Sequence, residues 1–115
     1  MTPSERLDAT FTALADPTRR AILSRLAKGA ASVAEIGAPF SISQPAVSKH
    51  LKVLERAGLI TIGTDAQRRP RTLEPKPLAE ASAFLERYRD LWEAHYERLD
   101  ALLDELQSTP PKPRH

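Results

Sequence analysis

Polar and cationic side chains are concentrated between Ser43 and Gly58, in a segment that fits a two-faced helix. Val47, Leu51 and Leu54 recur at i, i+4 and i+7, so one face is apolar. The hydrogen-bond donors on or beside the other face are Gln44, Ser48, Lys49, Lys52 and Arg56, with no acid before the last turn. The DNA major groove presents base-edge acceptors flanked by phosphates, so such a face suits that groove. A solvated surface helix fits the same pattern, and this segment alone does not separate the two interpretations.

Three shorter helices are predicted before this segment, each from a capping signal. A serine, threonine or aspartate N-cap opens each one, and proline takes the first helical position of the first two. The N-caps are Thr2, Asp16 and Ser32, and the helices are predicted to run to about Ala15, Lys28 and Ala38. The predicted apolar face of the first helix comprises Leu7, Phe11 and Leu14, and the inward-facing residues of the second are Ile22, Leu23 and Leu26. The predicted core anchors of the third helix and the turn after it are Ile36, Phe40 and Ile42.

The order of these elements predicts a winged helix-turn-helix. The short third helix, a turn at 40–42 and a helix at 44–57 form the helix-turn-helix. Two short strands at 59–64 and 71–74, joined by the basic tip 65–70, form a hairpin wing. Pro70 indicates an edge or strand-end position, because proline donates no ladder hydrogen bond. The predicted fold class is therefore mainly α with a small β-hairpin wing.

A long apolar stripe follows the wing and indicates a partner helix. Its positions alternate in steps of three and four residues over about four heptads. They are Leu78, Ala81, Leu85, Tyr88, Trp92, His95, Leu99, Leu102 and Leu106. One helix over residues 78–107 would be about 45 Å long, too long to bury its stripe on so small a domain. The simplest partner is a second copy in a two-fold dimer.

Composition and charge bound the class of protein. The 115 residues suit one domain, predicted at 1–107, with a disordered basic tail at 108–115. Residues 1–77 hold 12 Lys and Arg against 7 Asp and Glu, whereas residues 78–115 hold 5 against 8. The basic part thus contains the two-faced helix and suits a polyanion. Without cysteine, a signal sequence or an apolar run of membrane length, a soluble cytoplasmic protein with no membrane contact is expected.

Two segments resemble the ArsR/SmtB family of winged-helix repressors. Residues 11–23 (FTALADPTRRAIL) are similar to its opening motif, and residues 43–60 (SQPAVSKHLKVLERAGLI) to its recognition helix and wing entry. The resemblance covers roughly 4–106, and residues 38–40 and 85–93 are similar to a branch without the founding metal sites. It implies a homodimer packed through the first and last helices, a double-stranded DNA operator with two half-sites, and transcriptional repression.

The resemblance also implies roles for individual residues. Gln44, Ser48 and Lys49 would reach base edges, and Pro45 a thymine methyl. Those expected near phosphates or the minor groove are Ser43, His50 and Lys52 of the helix and Arg68, Arg69 and Arg71 of the wing. The expected dimer interface comprises Leu7, Phe11, Leu85, Tyr88, Trp92, His95, Leu99 and Leu102. For Arg19 and Arg20, phosphate contact and simple solvent exposure remain equal alternatives.

Other functions find less support in the sequence. No metal site or cofactor is expected, because cysteine is absent and Asp90 and His95, five residues apart, lie on different helical faces. His95 is expected at the dimer seam, where its protonation would tune packing. Trp92, Tyr88 and Tyr96 suit packing better than an effector pocket, and the effector is unknown. No catalytic set is assignable, so no enzyme is expected; the alternative is a winged-helix adaptor that contacts proteins without sequence-specific DNA binding.

Overall fold

The computed structural model describes residues 1–65 and 68–108. The elements in chain order are α1 (Pro3–Leu14), α2 (Pro17–Leu26), α3 (Val33–Gly37), α4 (Gln44–Arg56), β1 (Ile60–Ile62), β2 (Arg71–Leu73), α5 (Lys76–Glu86) and α6 (Arg89–Ser108). The chain divides into two compact units, the first ending at Ser82 and the second beginning at Ala83. In the described residues, no helix combines the length and apolar character needed to cross a membrane.

The three predicted N-caps are confirmed by their hydrogen bonds. The Thr2 hydroxyl accepts from the Glu5 amide at 3.1 Å, which leaves one fewer orphan donor in the first turn of α1. Asp16 accepts in the same way from the Arg19 amide at 2.9 Å. Ser32 and Glu35 form a reciprocal capping box, with both bonds at 3.2 Å. The helix starts therefore follow from local chemistry.

The core of the first unit lies between α2, α3, α4 and β1. Ile22, Ile36, Leu54 and Leu59 are essentially inaccessible to solvent. The apolar face predicted for α4 is confirmed, because Val47, Leu51 and Leu54 are all buried. Burying a side chain of this size contributes roughly 1.5–3 kcal/mol, so this face fixes α4 on the core.

Two of the apolar residues singled out from the sequence lie at the surface. Phe11, predicted on the apolar face of α1 and at the dimer interface, is 36% exposed, and the buried face of α1 is formed by Thr10 and Ala13. The Thr10 hydroxyl donates to the Arg6 carbonyl at 3.0 Å, which satisfies it inside the core. Ile42 is 40% exposed, so its assignment to the core was wrong. It lies in the turn before α4 and lines a groove between α3 and α4.

The end of α4 is a Schellman motif that directs the chain into the wing. Gly58 adopts φ +76°, a left-handed conformation that costs glycine little. Its amide donates to the Glu55 carbonyl at 2.9 Å, and the Leu59 amide donates to the Leu54 carbonyl at 3.0 Å. The helix stops within one residue, and Leu59 turns into the core.

The wing is a two-stranded antiparallel hairpin, with shorter strands than the sequence predicts. Ile60 pairs with Leu73 and Ile62 with Arg71. A further bridge, absent from the sequence-based prediction, joins Ala31 to Arg71. The Ala31 amide donates to the Arg71 carbonyl at 3.1 Å, and the Arg71 amide returns a bond of 2.8 Å. The second strand is thus held to the segment between α2 and α3 as well as to β1.

The single helix predicted for residues 78–107 is wrong, because two helices occupy this stretch. The chain tightens at the junction, where the Arg87 and Tyr88 amides donate to carbonyls three residues earlier at 3.3 and 3.0 Å. Regular i to i−4 bonding resumes when the Trp92 amide donates to the Tyr88 carbonyl at 3.0 Å. Phe84 and Tyr88 pack edge to face across this turn, with ring centroids 5.8 Å apart. The predicted tail lies beyond the described residues, apart from Ser108 at the end of α6.

Candidate nucleic-acid interface

The outer face of α4 presents the side chains that the sequence analysis assigned to DNA. Gln44, Pro45, Lys49 and Lys52 are exposed, and Ser48 is half-buried. The Ser43 hydroxyl accepts from the Ala46 amide at 3.3 Å and so caps the helix. No acid occurs in the first turn of α4, which leaves the positive end of its dipole open to an anion.

A cleft between α4 and the wing gathers part of the predicted site. It encloses about 330 Å³ and is lined by Ser48, Leu51, Lys52, Glu55, Ile62, Arg69 and Arg71. Two helix residues and two wing arginines of the predicted set therefore share one concave surface. Such a surface, with cations on both walls, suits a phosphate backbone passing between helix and wing.

Arg71 is held at the base of this cleft by its own strand. Its Nη1 donates to the Arg69 carbonyl at 2.7 Å, and its backbone is fixed by the bridge to Ala31. Arg69 has a positive φ of 41°, the only described non-glycine residue that does. The Nε of Arg71 is enclosed and has no hydrogen-bond partner among the described residues. One donor of this guanidinium is thus unused in the free protein.

Arg68 lies at the exposed tip of the wing, on the side of α3. The hydrogen bonds with Ser32 are the main cause of the lowered pKa of Glu35, and the charges of Arg25 and then Arg68 lower it further. Arg25 and Glu35 form an ion pair, with 3.8 Å between Arg25 Nη2 and Glu35 Oε2. Arg68 is therefore within electrostatic range of the N-terminal turn of α3.

Arg19 and Arg20 both contact the C-terminal end of α1. Arg19 donates from Nε to the Ala13 carbonyl at 2.8 Å and from Nη2 to the Thr12 carbonyl at 2.9 Å. Arg20 donates from Nη1 to the Leu14 carbonyl at 2.7 Å. The two arginines lie in the first turn of α2, but their guanidinium groups lie at the C-terminal end of α1. Positive charge there interacts favourably with the dipole of α1. The sequence pattern does not reveal this role, because the arginines lie on α2 and their partners on α1.

His50 faces the start of α2 and lies beside Arg19. Its side chain is 23% exposed, and its Nδ1 lies 3.4 Å from Arg19 Nη1 and 3.9 Å from Asp16 Oδ2. The backbone hydrogen bond from Arg19 lowers the pKa of Asp16, and the charges of His50 and Arg19 lower it further. The residue expected to approach phosphate is thus engaged with protein groups on its inner side.

The second unit exposes a set of large apolar side chains. Those expected at the dimer interface are Leu85, Tyr88, Trp92, Leu99 and Leu102, and Leu91, Tyr96, Leu103 and Leu106 are exposed beside them on α6. His95 is exposed and, with Trp92 and Tyr96, lines a shallow cavity of about 430 Å³. In the first unit, Phe11 is exposed and Leu7 half-buried.

Within the described ranges, no group of three or more His, Cys, Asp or Glu side chains is arranged to hold a metal.

Comparison with known proteins places this arrangement in a family. A helix-turn-helix domain model matches residues 14–62. The HTH-type transcriptional regulator Rv2034 of Mycobacterium tuberculosis is 44% identical over 81 residues, which cover 70% of this chain and 76% of that protein. The transcriptional repressor SdpR of Bacillus subtilis is 40% identical over 55 residues, covering 48% and 61% of the two chains.

A solved structure agrees in fold over most of its length. The crystal structure of the ArsR family transcriptional regulator RHA00566 superposes with a TM-score of 0.72 at 40% identity, covering 78% of this chain and 93% of that one. This chain therefore belongs to the ArsR family of winged helix-turn-helix proteins and is a DNA-binding transcriptional regulator.

Proposed function

We propose that this protein is a homodimeric repressor that binds a two-half-site operator through α4. The observation that carries the proposal is the division of α4 into a buried apolar face and an exposed face of hydrogen-bond donors. A helix of this kind, preceded by a short helix and a tight turn, suits insertion into the major groove. Because its proposed partner is DNA, the regulator is proposed to act in the cytoplasm.

The proposal divides the candidate residues between base reading and phosphate binding. Gln44, Ser48 and Lys49 read base edges, and Pro45 contacts a thymine methyl. Those assigned to phosphates or the minor groove are Ser43, Lys52, Arg68, Arg69 and Arg71. The cleft between α4 and the wing supports this division, because Lys52 and two of the wing arginines line it together.

Dimerisation through the first and last helices is the second part of the proposal. The exposed leucine and aromatic side chains of α6 support it, since a contiguous apolar surface of this length is unusual on a monomer. Phe11 on α1 extends the set of exposed apolar residues. Two copies related by a two-fold axis would present two recognition helices to two half-sites.

A binding titration tests the function. The labelled DNA is the region upstream of the protein's own gene, and unlabelled nonspecific duplex is the competitor. We expect a competitor-resistant shift whose log affinity falls steeply with log salt concentration. No such shift, or a slope near zero, would contradict the repressor proposal and favour the protein-contacting adaptor.

A pair of lysine variants locates the binding surface. Lys49→Ala removes a cation from the outer face of α4, whereas Lys28→Ala removes an exposed cation that follows α2. Loss of a base contact costs roughly 1–3 kcal/mol of discrimination, so Lys49→Ala is expected to reduce specific binding about tenfold or more. Lys28→Ala is expected to bind like the parent protein. Equal effects of the two variants would exclude α4 as the reading element.

A further inference from the structure

The side chain of Arg19 joins three elements of the first unit. It projects from the first turn of α2 and reaches two carbonyls of α1 and one imidazole of α4. The carbonyls of Ala13 and Thr12 belong to the last turn of α1, where carbonyl groups have no partner four residues further along the helix. The guanidinium therefore satisfies the end of one helix and contacts the recognition helix with its remaining nitrogen.

The geometry of these contacts requires a guanidinium. Nε and Nη2 donate along one edge of the planar group, at 2.8 and 2.9 Å, and Nη1 points to His50 Nδ1 at 3.4 Å. A lysine ammonium is a single point donor and cannot span three acceptors at these separations. Arginine has no acceptor, so this contact is a hydrogen bond only with a neutral imidazole whose proton lies on Nε2.

Among the described residues, the charged groups that face the imidazole are Asp16, the N-cap of α2, and Arg19 in its first turn. Asp16 Oδ2 lies 3.9 Å from Nδ1, and Arg19 Nη1 lies closer. Asp16 is itself held in place, because it accepts the Arg19 amide as the N-cap of α2. His50 therefore contacts a rigid corner, where α1 ends and α2 begins.

We propose that Arg19 and His50 are positioning residues that set the rotation of α4 relative to α1 and α2, and that neither one contacts DNA. The apolar face of α4 holds the helix on the core, but apolar packing is not directional. The contact between Arg19 and His50 is directional, and His50 follows Ser48 and Lys49 within the same turn. A rotation of α4 that breaks this contact moves both of those side chains relative to a bound groove. This inference rests on the proposed function, in which α4 reads the operator.

Two arginine variants separate positioning from phosphate contact. Arg19→Lys keeps the positive charge but loses the planar set of N–H donors. Arg19→Met keeps a side chain of similar length but loses both the charge and the donors. Positioning predicts that each variant weakens specific operator binding about tenfold, with the slope of log affinity against log salt unchanged. Phosphate contact predicts that Arg19→Lys binds like the parent and that Arg19→Met lowers the magnitude of the slope by about one. That second pair of results would overturn the proposal.

Arg20 supplies the matched control for helix capping. Among the described residues its hydrogen bond is to Leu14 of α1, so Arg20→Met removes a capping donor without touching α4. We expect Arg20→Met to retain operator affinity, and to lower the thermal midpoint less than Arg19→Met, because it removes one capping hydrogen bond rather than two. If both variants lose operator affinity equally, Arg19 acts only as a cap and the proposal fails.

The histidine variants test the other half of the contact. His50→Asn places an amide oxygen near the position of Nδ1 and retains an acceptor for Arg19, whereas His50→Leu provides none. We expect His50→Asn to bind within about threefold of the parent and His50→Leu to lose about tenfold. In the double variant Arg19→Lys with His50→Leu, the loss is expected to be smaller than the product of the two single losses. Independent, multiplying losses would show that the two residues do not act through each other.

A measurement without DNA distinguishes failure of this inference from failure of the proposed function. In amide NMR spectra of the free protein, Arg19→Lys and His50→Leu are expected to shift the signals of residues 47–52, and Arg20→Met to leave them in place. If the parent binds no operator but these shifts occur, the function is wrong and the positioning contact stands. If the parent binds and residues 47–52 do not respond, the positioning contact is wrong.

Discussion

Gly63 and Pro70 close the base of the wing at a separation that leaves no room for a side chain. The Gly63 amide donates to the Pro70 carbonyl at 2.7 Å, and a β-carbon at Gly63 would lie 2.9 Å from Pro70 Cγ. The two residues flank the tip that holds Arg68 and Arg69. The position of those arginines therefore depends on a glycine that carries no functional group.

Gly63→Ala is expected to displace the wing and weaken operator binding. Contacts of this length force the neighbouring atoms apart at a cost of roughly 1–3 kcal/mol. The measurement is operator affinity together with the urea-induced unfolding of the free protein. Adding Pro70→Ala removes the opposing ring atoms, so the double variant is expected to regain part of the lost affinity. If Gly63→Ala binds like the parent, the closure of the wing is not needed for recognition.

Gly58 provides a test of how the recognition helix ends. At φ +76°, alanine is strained by roughly 1–2 kcal/mol and asparagine by less. We therefore expect the free energy of unfolding in urea to be highest for the parent protein, lower for Gly58→Asn and lowest for Gly58→Ala. The nearest heavy atom to a β-carbon here is Pro77 Cγ at 3.8 Å, an ordinary contact, so the effect isolates backbone conformation. Equal stability of the asparagine and alanine variants would contradict this cause.

Asp16 is expected to make the stability of the folded protein decrease at acidic pH. The hydrogen bond from the Arg19 amide lowers the pKa of Asp16 in the folded state below its ordinary value of 3.8, and the charge of His50 adds to this. A carboxyl with a lowered folded pKa stabilises the fold above its unfolded pKa, and the stabilisation is lost as the pH falls through the folded value. We expect the thermal midpoint to decline below about pH 4.

Asp16→Asn is the control for this acid dependence. The amide oxygen still caps α2, but the group no longer titrates. The variant is expected to show a shallower decline between about pH 4 and 2 than the parent protein. Parallel curves for the two proteins would assign the acid sensitivity to other carboxyl groups, such as Glu35, whose pKa is also lowered.

Leu102 tests the proposed dimer surface. It is 52% exposed on α6, so replacing it costs the free chain little core packing. Leu102→Glu would bury a charge in the proposed interface, and we expect it to shift the protein towards monomer in light scattering at micromolar concentration. Arg98→Glu changes the charge at another exposed position of α6 and serves as the control. If Leu102→Glu retains the parent mass, the stripe on α6 does not mediate dimerisation.

Local chemistry explains why the helix starts and the buried face of α4 could be predicted. Thr2, Asp16 and Ser32 each bond to an amide three residues away, so the sequence contains both partners within a few positions. The periodicity of Val47, Leu51 and Leu54 likewise lies within a single helix. The turn at Tyr88 was missed although it is equally local, because the stretch from Leu78 to Gln107 contains neither proline nor glycine and its heptad pattern continues through it.

Contacts between distant positions explain the remaining misses. Arg19 and His50 are 31 residues apart, and Ala31 and Arg71 are 40 residues apart. Neither pair leaves a periodic signal, because each contact depends on how whole elements pack. The charge pattern around Arg19 suggested phosphate or solvent as its partner. Its carbonyl partners belong to the preceding helix, whose end could not be oriented from the sequence.

The bridge between Ala31 and Arg71 has a consequence for how relatives of this protein diverge. The bridge brings the two ends of the segment 32–70 next to each other. This segment contains the helix-turn-helix and the wing tip. Such a segment can be exchanged between homologous proteins when the replacement meets the same two backbone positions and keeps the core residues that α3, α4 and β1 supply. Grafting this segment from one family member into another is expected to transfer operator preference while the recipient keeps its own first and last helices.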